Sequence, residues 1–138
     1  MKQIVFVLFA VTLICSSLQA QVAVVAHKSV AASSVSRSEL TDIYTLSTTM
    51  WENSAPIVVC DMRADNPTKG KFYSGIKKSP NDLKKIWMRI VLSGEGKAPE
   101  MLDSEDEVLD RVASTPGAIG YVAASKVRGD VKVLMRID

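Results

Sequence analysis

Apolar residues occur along the chain in two kinds of pattern. Short runs of mainly apolar residues, many of them β-branched, lie at 22–26, 57–61, 118–122 and 131–135, and such runs are typical of strands that are covered on both faces. Between the runs, apolar residues recur at intervals of three and four, as they do along one face of a helix. Strands that alternate with helices predict an α/β fold, with a mostly parallel sheet of about four strands flanked by helices.

Helix starts are marked by capping residues. Two segments read Ser-x-x-Glu, the pattern of a capping box, and two others place Asn or Ser directly before a proline that would occupy the first helical position. The four predicted N-caps are Ser36, Asn66, Ser79 and Ser104. The helices that follow them are predicted over 37–46, from Pro67 to a stop near Gly75, from Pro80 to Ser93-Gly94, and from 105 to about Ser114.

The N-terminal segment has the pattern of a secretory signal peptide. Lys2 precedes an apolar run over 4–14, and Ala20 is a small residue at the expected cleavage point. The run would rise only about 16 Å as a helix, roughly half of a bilayer's hydrocarbon core, so it does not predict a membrane span. Cys15 is not expected to carry a lipid, because the bulky Ile14 precedes it. We therefore predict a signal peptide over 1–20, a single domain over 21–138 and a periplasmic protein.

Charge and cysteine content narrow the function classes. The net charge of +2 falls to +1 when the segment containing Lys2 is removed, so nothing indicates binding to nucleic acid. Cys60 is then the remaining cysteine, which excludes an intramolecular disulfide, and its apolar neighbours indicate a buried small residue.

Neither a catalytic group nor a metal site is indicated by the sequence. The single histidine, His27, lacks the partners that a metal site or a nucleophile system needs. The acidic residues over 103–110 lack the ligand spacing and turn glycine of a calcium loop, and they are interpreted as a solvated helix start. No segment has the spacing of a phosphate loop or a dinucleotide fingerprint. We expect no metal, no cofactor and no enzymatic activity.

The segment 61–70 is the most suggestive candidate for a ligand site. A strand ends there and a helix begins at Asn66-Pro67, and a helix N-terminus offers unpaired amides to an anion. Arg63 could bind an oxyanion through two parallel hydrogen bonds, and Thr68 could add a hydroxyl donor. Asp65 would repel a highly charged anion. On these residues alone, a capped helix beside solvated charges is an equally good interpretation.

Five blocks in the same order give the chain a resemblance to a known family. It resembles the phosphate-binding proteins of ABC transporters, within the type II periplasmic-binding-protein superfamily. The most specific blocks are Thr-Pro-Gly-Ala-Ile-Gly-Tyr and the tryptophan followed by Ser-Gly-x-Gly. The blocks are Ser36–Tyr44, Trp51 seven residues later, Pro56–Val59, Lys84–Pro99 and Val112–Val122.

This resemblance implies a fold and a function. Family members have two lobes in chains more than twice as long, so this chain resembles a compact single-lobe member in which the short stretch 28–35 replaces the other lobe. The family's anion loop has an arginine before a Ser-Gly-Thr-like turn; Arg63 aligns with that arginine and Thr68 could supply the hydroxyl, while the Ser-Gly pair is missing. The predicted ligand-binding residues are Arg63, Asn66, Thr68 and Lys69.

Two functions from different classes follow. The first is binding of phosphate or a similar oxyanion in the periplasm, in connection with phosphate uptake and beside a transporter or porin. The alternative is a ligand-free module, in which one lobe of a binding protein is kept as a docking surface for a partner.

Overall fold

A computed structural model describes residues 21–138, so the predicted signal peptide at 1–20 and Cys15 lie outside the described residues. This part of the chain contains five strands and four helices, with a single 3-10 turn at Ala124–Lys126. The elements are β1 (Val22–Ala26), α1 (Arg37–Tyr44), β2 (Val58–Met62), α2 (Pro67–Ile76), α3 (Pro80–Leu92), β3 (Glu100–Leu102), α4 (Glu105–Ser114), β4 (Ala118–Ala123) and β5 (Lys132–Ile137).

The strands form one sheet in the order β3-β2-β4-β1-β5. β2 is parallel to both β3 and β4, whereas β1 is antiparallel to both β4 and β5. The α/β fold predicted from the sequence is confirmed, and the sheet is mixed, with two parallel and two antiparallel strand pairs. The difference is a fifth strand, β3, whose three half-buried residues form too short a segment to show a strand pattern.

The helices begin at the predicted caps. The capping box of α1 is complete, because Ser36 accepts from the Glu39 amide while the Glu39 carboxylate accepts from the Ser36 amide. This helix ends at Tyr44, two residues before the predicted end. The box of α4 is half formed, since the Glu107 carboxylate accepts from the amide of Asp103 rather than from that of Ser104.

Helices cover both faces of the sheet. On β4, Gly120 faces α4, where an added Cβ would meet Val108 at 2.7 Å. The next residue, Tyr121, points to the other face and stacks on Phe72 of α2 with ring centroids 3.9 Å apart. Tyr44 of α1 meets the same phenylalanine edge-on at 4.7 Å. An aromatic cluster thus fills the core on the α1–α2 side of the sheet, and small residues let α4 approach the other side closely.

Within residues 21–138, no helix combines the length and the apolar character that crossing a bilayer would require.

Candidate functional site

The predicted ligand residues lie where β2 leaves the sheet. β2 and β3 are parallel and end together, with Met62 paired to Leu102. The amide of Arg63 extends this pairing by donating to the Leu102 carbonyl at 2.8 Å. A short loop then leads to α2, so the loop and the first turn of α2 share the carboxyl edge of the sheet, where ligands of open α/β folds bind.

The guanidinium of Arg63 is directed towards β3. One terminal nitrogen donates to the Asp103 carboxylate, and the other donates to the Met101 carbonyl at 3.3 Å. Both side chains of the ion pair are mostly exposed, at 62% for Arg63 and 65% for Asp103. The arginine predicted to bind an anion therefore already has a carboxylate partner.

Asn66 serves as the N-cap of α2. Its side-chain oxygen accepts from the Lys69 amide at 2.8 Å. Its side-chain nitrogen lies 3.5 Å from both the Ala64 carbonyl and the Met62 sulfur. The side-chain amide is thus engaged on both sides, as the capping interpretation of this residue requires.

The first turn of α2 leaves few donors for a ligand. Pro67 has no N–H, the Lys69 amide is bound by the cap, and the Gly70 amide donates to the Asn66 carbonyl at 3.0 Å. The backbone amide of Thr68 remains. Its side chain is half-buried, and its hydroxyl has no hydrogen-bond partner among the described residues. Thr68 is therefore the predicted residue whose donors are available.

Lys69 lies beneath the loop instead of at its surface. Its ammonium donates to the Met62 carbonyl at 2.7 Å and lies 5.5 Å from the centroid of the Tyr73 ring. The side chain is 5% exposed, whereas Asp65, whose carboxylate is 3.9 Å from the ammonium, is 97% exposed. This lysine contributes positive charge from below and joins the end of β2 to α2.

A buried carboxylate that the sequence analysis missed lies directly behind the site. Asp61 is fully buried, and its carboxylate accepts from the Met62 amide at 2.7 Å, from the Tyr121 hydroxyl at 2.5 Å and from the Tyr73 hydroxyl. Burial and the contact with this carboxylate raise the pKa of both tyrosines. A single acid within an otherwise apolar strand was the signal in the sequence, since a buried carboxylate needs several donors.

The site has no excess of positive charge. Arg63 and Lys69 contribute two positive charges, Asp65 and Asp103 contribute two negative charges, and the buried Asp61 behind them is a third carboxylate. Such a cluster on an exposed loop attracts anions weakly at a distance, so binding would depend on short-range hydrogen bonds.

Reactive groups are not gathered at this edge. Burial is the main cause that raises the pKa of the Cys60 thiol to about 12, which keeps it protonated. His27 lies at the end of β1, where its Nδ1 contacts the Ser29 hydroxyl at 2.7 Å. Among residues 21–138, no group of three or more His, Cys, Asp or Glu residues is placed to hold a metal ion.

A cleft of about 440 Å³ lies away from the predicted residues. Residues 31–35, the first turns of α1 and residues 48–52 line it. Its charged lining groups are the carboxylates of Glu39, Asp42 and Glu52, with no lysine or arginine among the lining residues. This cleft is therefore unsuited to an anion, and the carboxyl edge of the sheet remains the better candidate.

Comparisons with known proteins identify the fold. No family model and no curated protein sequence matches the chain. Solved structures do match it. A protein assigned as a phosphate ABC transporter substrate-binding protein of Clostridium perfringens, solved with bound phosphate, is 22% identical with a TM-score of 0.69, covering 83% of this chain and 45% of that chain.

Two further structures give the same result. An ABC-type phosphate transport receptor from Vibrio cholerae is 18% identical, with a TM-score of 0.65 over 84% of this chain and 46% of that chain. PstS from Borrelia burgdorferi is 14% identical, with a TM-score of 0.60 over 83% and 47%. The chain spans less than half the length of these proteins. It has the fold of a single periplasmic-binding-protein-like lobe.

Proposed function

We propose that the chain binds phosphate or a related oxyanion at the carboxyl edge of its sheet, in connection with phosphate uptake. The observation that supports this most directly is the N-terminal turn of α2, where the Thr68 amide and hydroxyl have no partner within residues 21–138 and Arg63 lies on the adjoining loop. A helix N-terminus beside an arginine is suited to an oxyanion. A solved structure with the same fold contains bound phosphate.

The contacts also set an expectation for affinity. A single lobe offers few donors, the loop is exposed to solvent, and each cation of the site lies near a carboxylate. Exposed charges are screened by salt over roughly 8 to 10 Å at physiological ionic strength. We therefore expect weak binding that decreases as the salt concentration rises.

A thermal-shift series in phosphate tests the proposal. A ligand at 100 times its dissociation constant stabilises a fold by about 2.7 kcal/mol, which is a measurable shift. Arg63→Ala should abolish the phosphate shift, and Asp65→Asn should enlarge it because an exposed acid beside Lys69 is removed. Arg89→Ala is the matched control: this exposed arginine on α3 has no side-chain partner among the described residues. Equal shifts from phosphate, sulfate and chloride at matched ionic strength would contradict the proposal.

One observation favours the alternative, a ligand-free docking module. On α3, Met88 is 64% exposed, Val91 46% and Leu92 80%. Adjacent exposed apolar residues of this kind often mark a contact surface. This function predicts no phosphate-specific thermal shift in the wild type and little change from Arg63→Ala. It also predicts that Met88→Ser with Leu92→Ser abolishes capture of a partner without changing the fold.

We further infer that residues 1–20 act as a signal peptide and that the domain functions in the periplasm beside an ABC transporter. The sequence pattern supports export, and the solved structures of the same fold are described as ABC transporter components. The intact mass of the exported protein tests this inference. A mass beginning at Gln21 would support it, whereas a retained leader or a lipid on Cys15 would contradict it.

A further inference from the structure

Arg63 and Asp103 follow the paired ends of two parallel strands. Met62 of β2 pairs with Leu102 of β3, and the Arg63 amide donates to the Leu102 carbonyl at 2.8 Å. Because parallel strands end at the same edge, the two side chains leave the sheet next to each other. The guanidinium binds the Asp103 carboxylate with one terminal nitrogen and the Met101 carbonyl with the other.

The backbone of Asp103 is held in place by α4. Its amide donates to the Glu107 carboxylate at 2.8 Å. It directly precedes Ser104, the N-cap, whose hydroxyl accepts from the Glu107 amide at 3.1 Å. These contacts fix the start of α4, so the carboxylate of Asp103 is presented to Arg63 with less loss of conformational entropy than a free surface side chain would suffer.

We propose that Asp103 is an internal competitor for the anion, which occupies Arg63 in the unliganded protein and is displaced when an oxyanion binds. This inference rests on the function proposed above. A guanidinium binds a carboxylate and an inorganic oxyanion through the same hydrogen-bond geometry. Both members of the pair are more than 60% exposed, so solvent and ions can reach the contact.

Asp103 and Asp65 act on different cations. Asp65 lies 3.9 Å from the Lys69 ammonium, whereas Asp103 contacts the Arg63 guanidinium. An exposed ion pair of this kind changes an equilibrium constant by up to about fivefold. The wild type should therefore bind phosphate about two- to fivefold more weakly than a chain in which Arg63 has no carboxylate partner.

Phosphate titrations by calorimetry test this inference on the domain over 21–138 with three variants. Asp103→Asn should tighten binding about two- to fivefold, and adding Arg63→Ala to it should remove the gain. Asp106→Asn is the matched control. Asp106 is an exposed acid in the first turn of α4 that has no contact with Arg63, and its substitution removes the same charge. It should leave the affinity within about 1.5-fold of the wild type. In the wild type, the side-chain carboxyl carbon signal of Asp103 should move in step with phosphate saturation.

The outcomes separate the inference from the function beneath it. If the wild type binds phosphate and Asp103→Asn binds it equally or more weakly, the inference that Asp103 competes with the anion is overturned, while the proposed phosphate binding stands. If Asp106→Asn gives the same gain in affinity, or the gain persists without Arg63, the change in net charge is responsible. The inference that Asp103 competes with the anion is then overturned. If neither the wild type nor any variant binds phosphate, both proposals fail.

Discussion

The indole of Trp87 donates a hydrogen bond to the backbone carbonyl of Tyr44 at 2.8 Å, which joins α3 to the C-terminal end of α1. Trp87 is 6% exposed and lies in the middle of the apolar face of α3. The carbonyl belongs to the last turn of α1, where no later helical residue can supply a donor. The Trp87 side chain therefore contributes both buried apolar area and a hydrogen-bond donor to the C-terminal end of α1.

We expect Trp87→Ala to lower the free energy of unfolding by about 3–5 kcal/mol, because it removes a large buried side chain and leaves a cavity. Urea denaturation would measure the loss. Met88→Ala, the adjacent residue on the same helix but 64% exposed, should change stability by less than about 0.5 kcal/mol. Similar effects from the two substitutions would show that α3 does not pack through Trp87.

Gly117 should tolerate no side chain. Its φ is +77°, and an added Cβ would lie 2.3 Å from the Pro56 carbonyl oxygen, so Gly117→Ala combines backbone strain with a collision. We expect a loss of at least about 2 kcal/mol in the free energy of unfolding. Gly94→Ala, with φ +74° and open space around it, should cost about 1 kcal/mol. Gly129→Ala, where neither constraint applies, should have little effect, and equal losses at all three positions would refute this account.

Asp61→Asn should destabilise the fold by about 1–3 kcal/mol, because the carboxylate accepts from two tyrosine hydroxyls in the core and an amide group replaces one of its acceptors with a donor. A double-mutant cycle with Tyr121→Phe is the sharpest measurement. The double variant should lose less stability than the sum of the two single losses, since both substitutions remove the same hydrogen bond. Additive losses would mean that this contact contributes nothing to stability.

Stability should fall at alkaline pH. Burial raises the pKa of the Cys60 thiol from 9.0 to about 12, so the thiol ionises more readily in the unfolded chain than in the folded one. The corresponding stabilisation is fully present below pH 9 and is lost as the pH rises towards 12. Each such group changes the free energy of unfolding by up to about 1.4 kcal/mol per pH unit in that window.

Urea midpoints between pH 8 and 11 would measure this dependence. Cys60→Ala should give a shallower decline than the wild type, although Tyr44, Tyr73 and Tyr121, whose pKa values burial also raises, should still contribute above pH 10. A thiol reagent should label the folded wild type slowly at pH 8 and rapidly in urea. Identical pH profiles for the two proteins would contradict a buried, protonated thiol.

The features predicted correctly from the sequence are those encoded by neighbouring residues. Ser36 with Glu39 specified the start of α1, and Asn66 with Pro67 specified the start of α2, because a cap and its partner lie within one turn. The unbroken apolar run at 22–26 matched β1 residue for residue. Strand direction was not encoded in this way, since the same apolar run fits either orientation of β1 within the sheet.

The features that sequence reasoning missed depend on residues far apart in the chain. Glu100–Leu102 is a strand because it pairs with β2, a partner 40 residues away in sequence. The same separation of 40 residues lies between Arg63 and Asp103. The donors that surround Asp61 come from α2 and β4, so a local reading could place the acid at a strand end but could not show that it is buried. For the same reason, the occupied state of Arg63 could not be foreseen from its loop.

The position of β1 also has a consequence for how the chain can fold. It is the first described element in the chain, yet it lies between β4 and β5, with Val22 paired to Ala123 on one side and to Ile137 on the other. Contacts between segments that are far apart in sequence slow the folding rate, because a long loop must close before they are gained. A chain emerging from the ribosome cannot complete this sheet until β5 has been synthesised. The chain would therefore remain without its complete sheet for most of its synthesis, and an unfolded polypeptide can still pass through a narrow translocation channel.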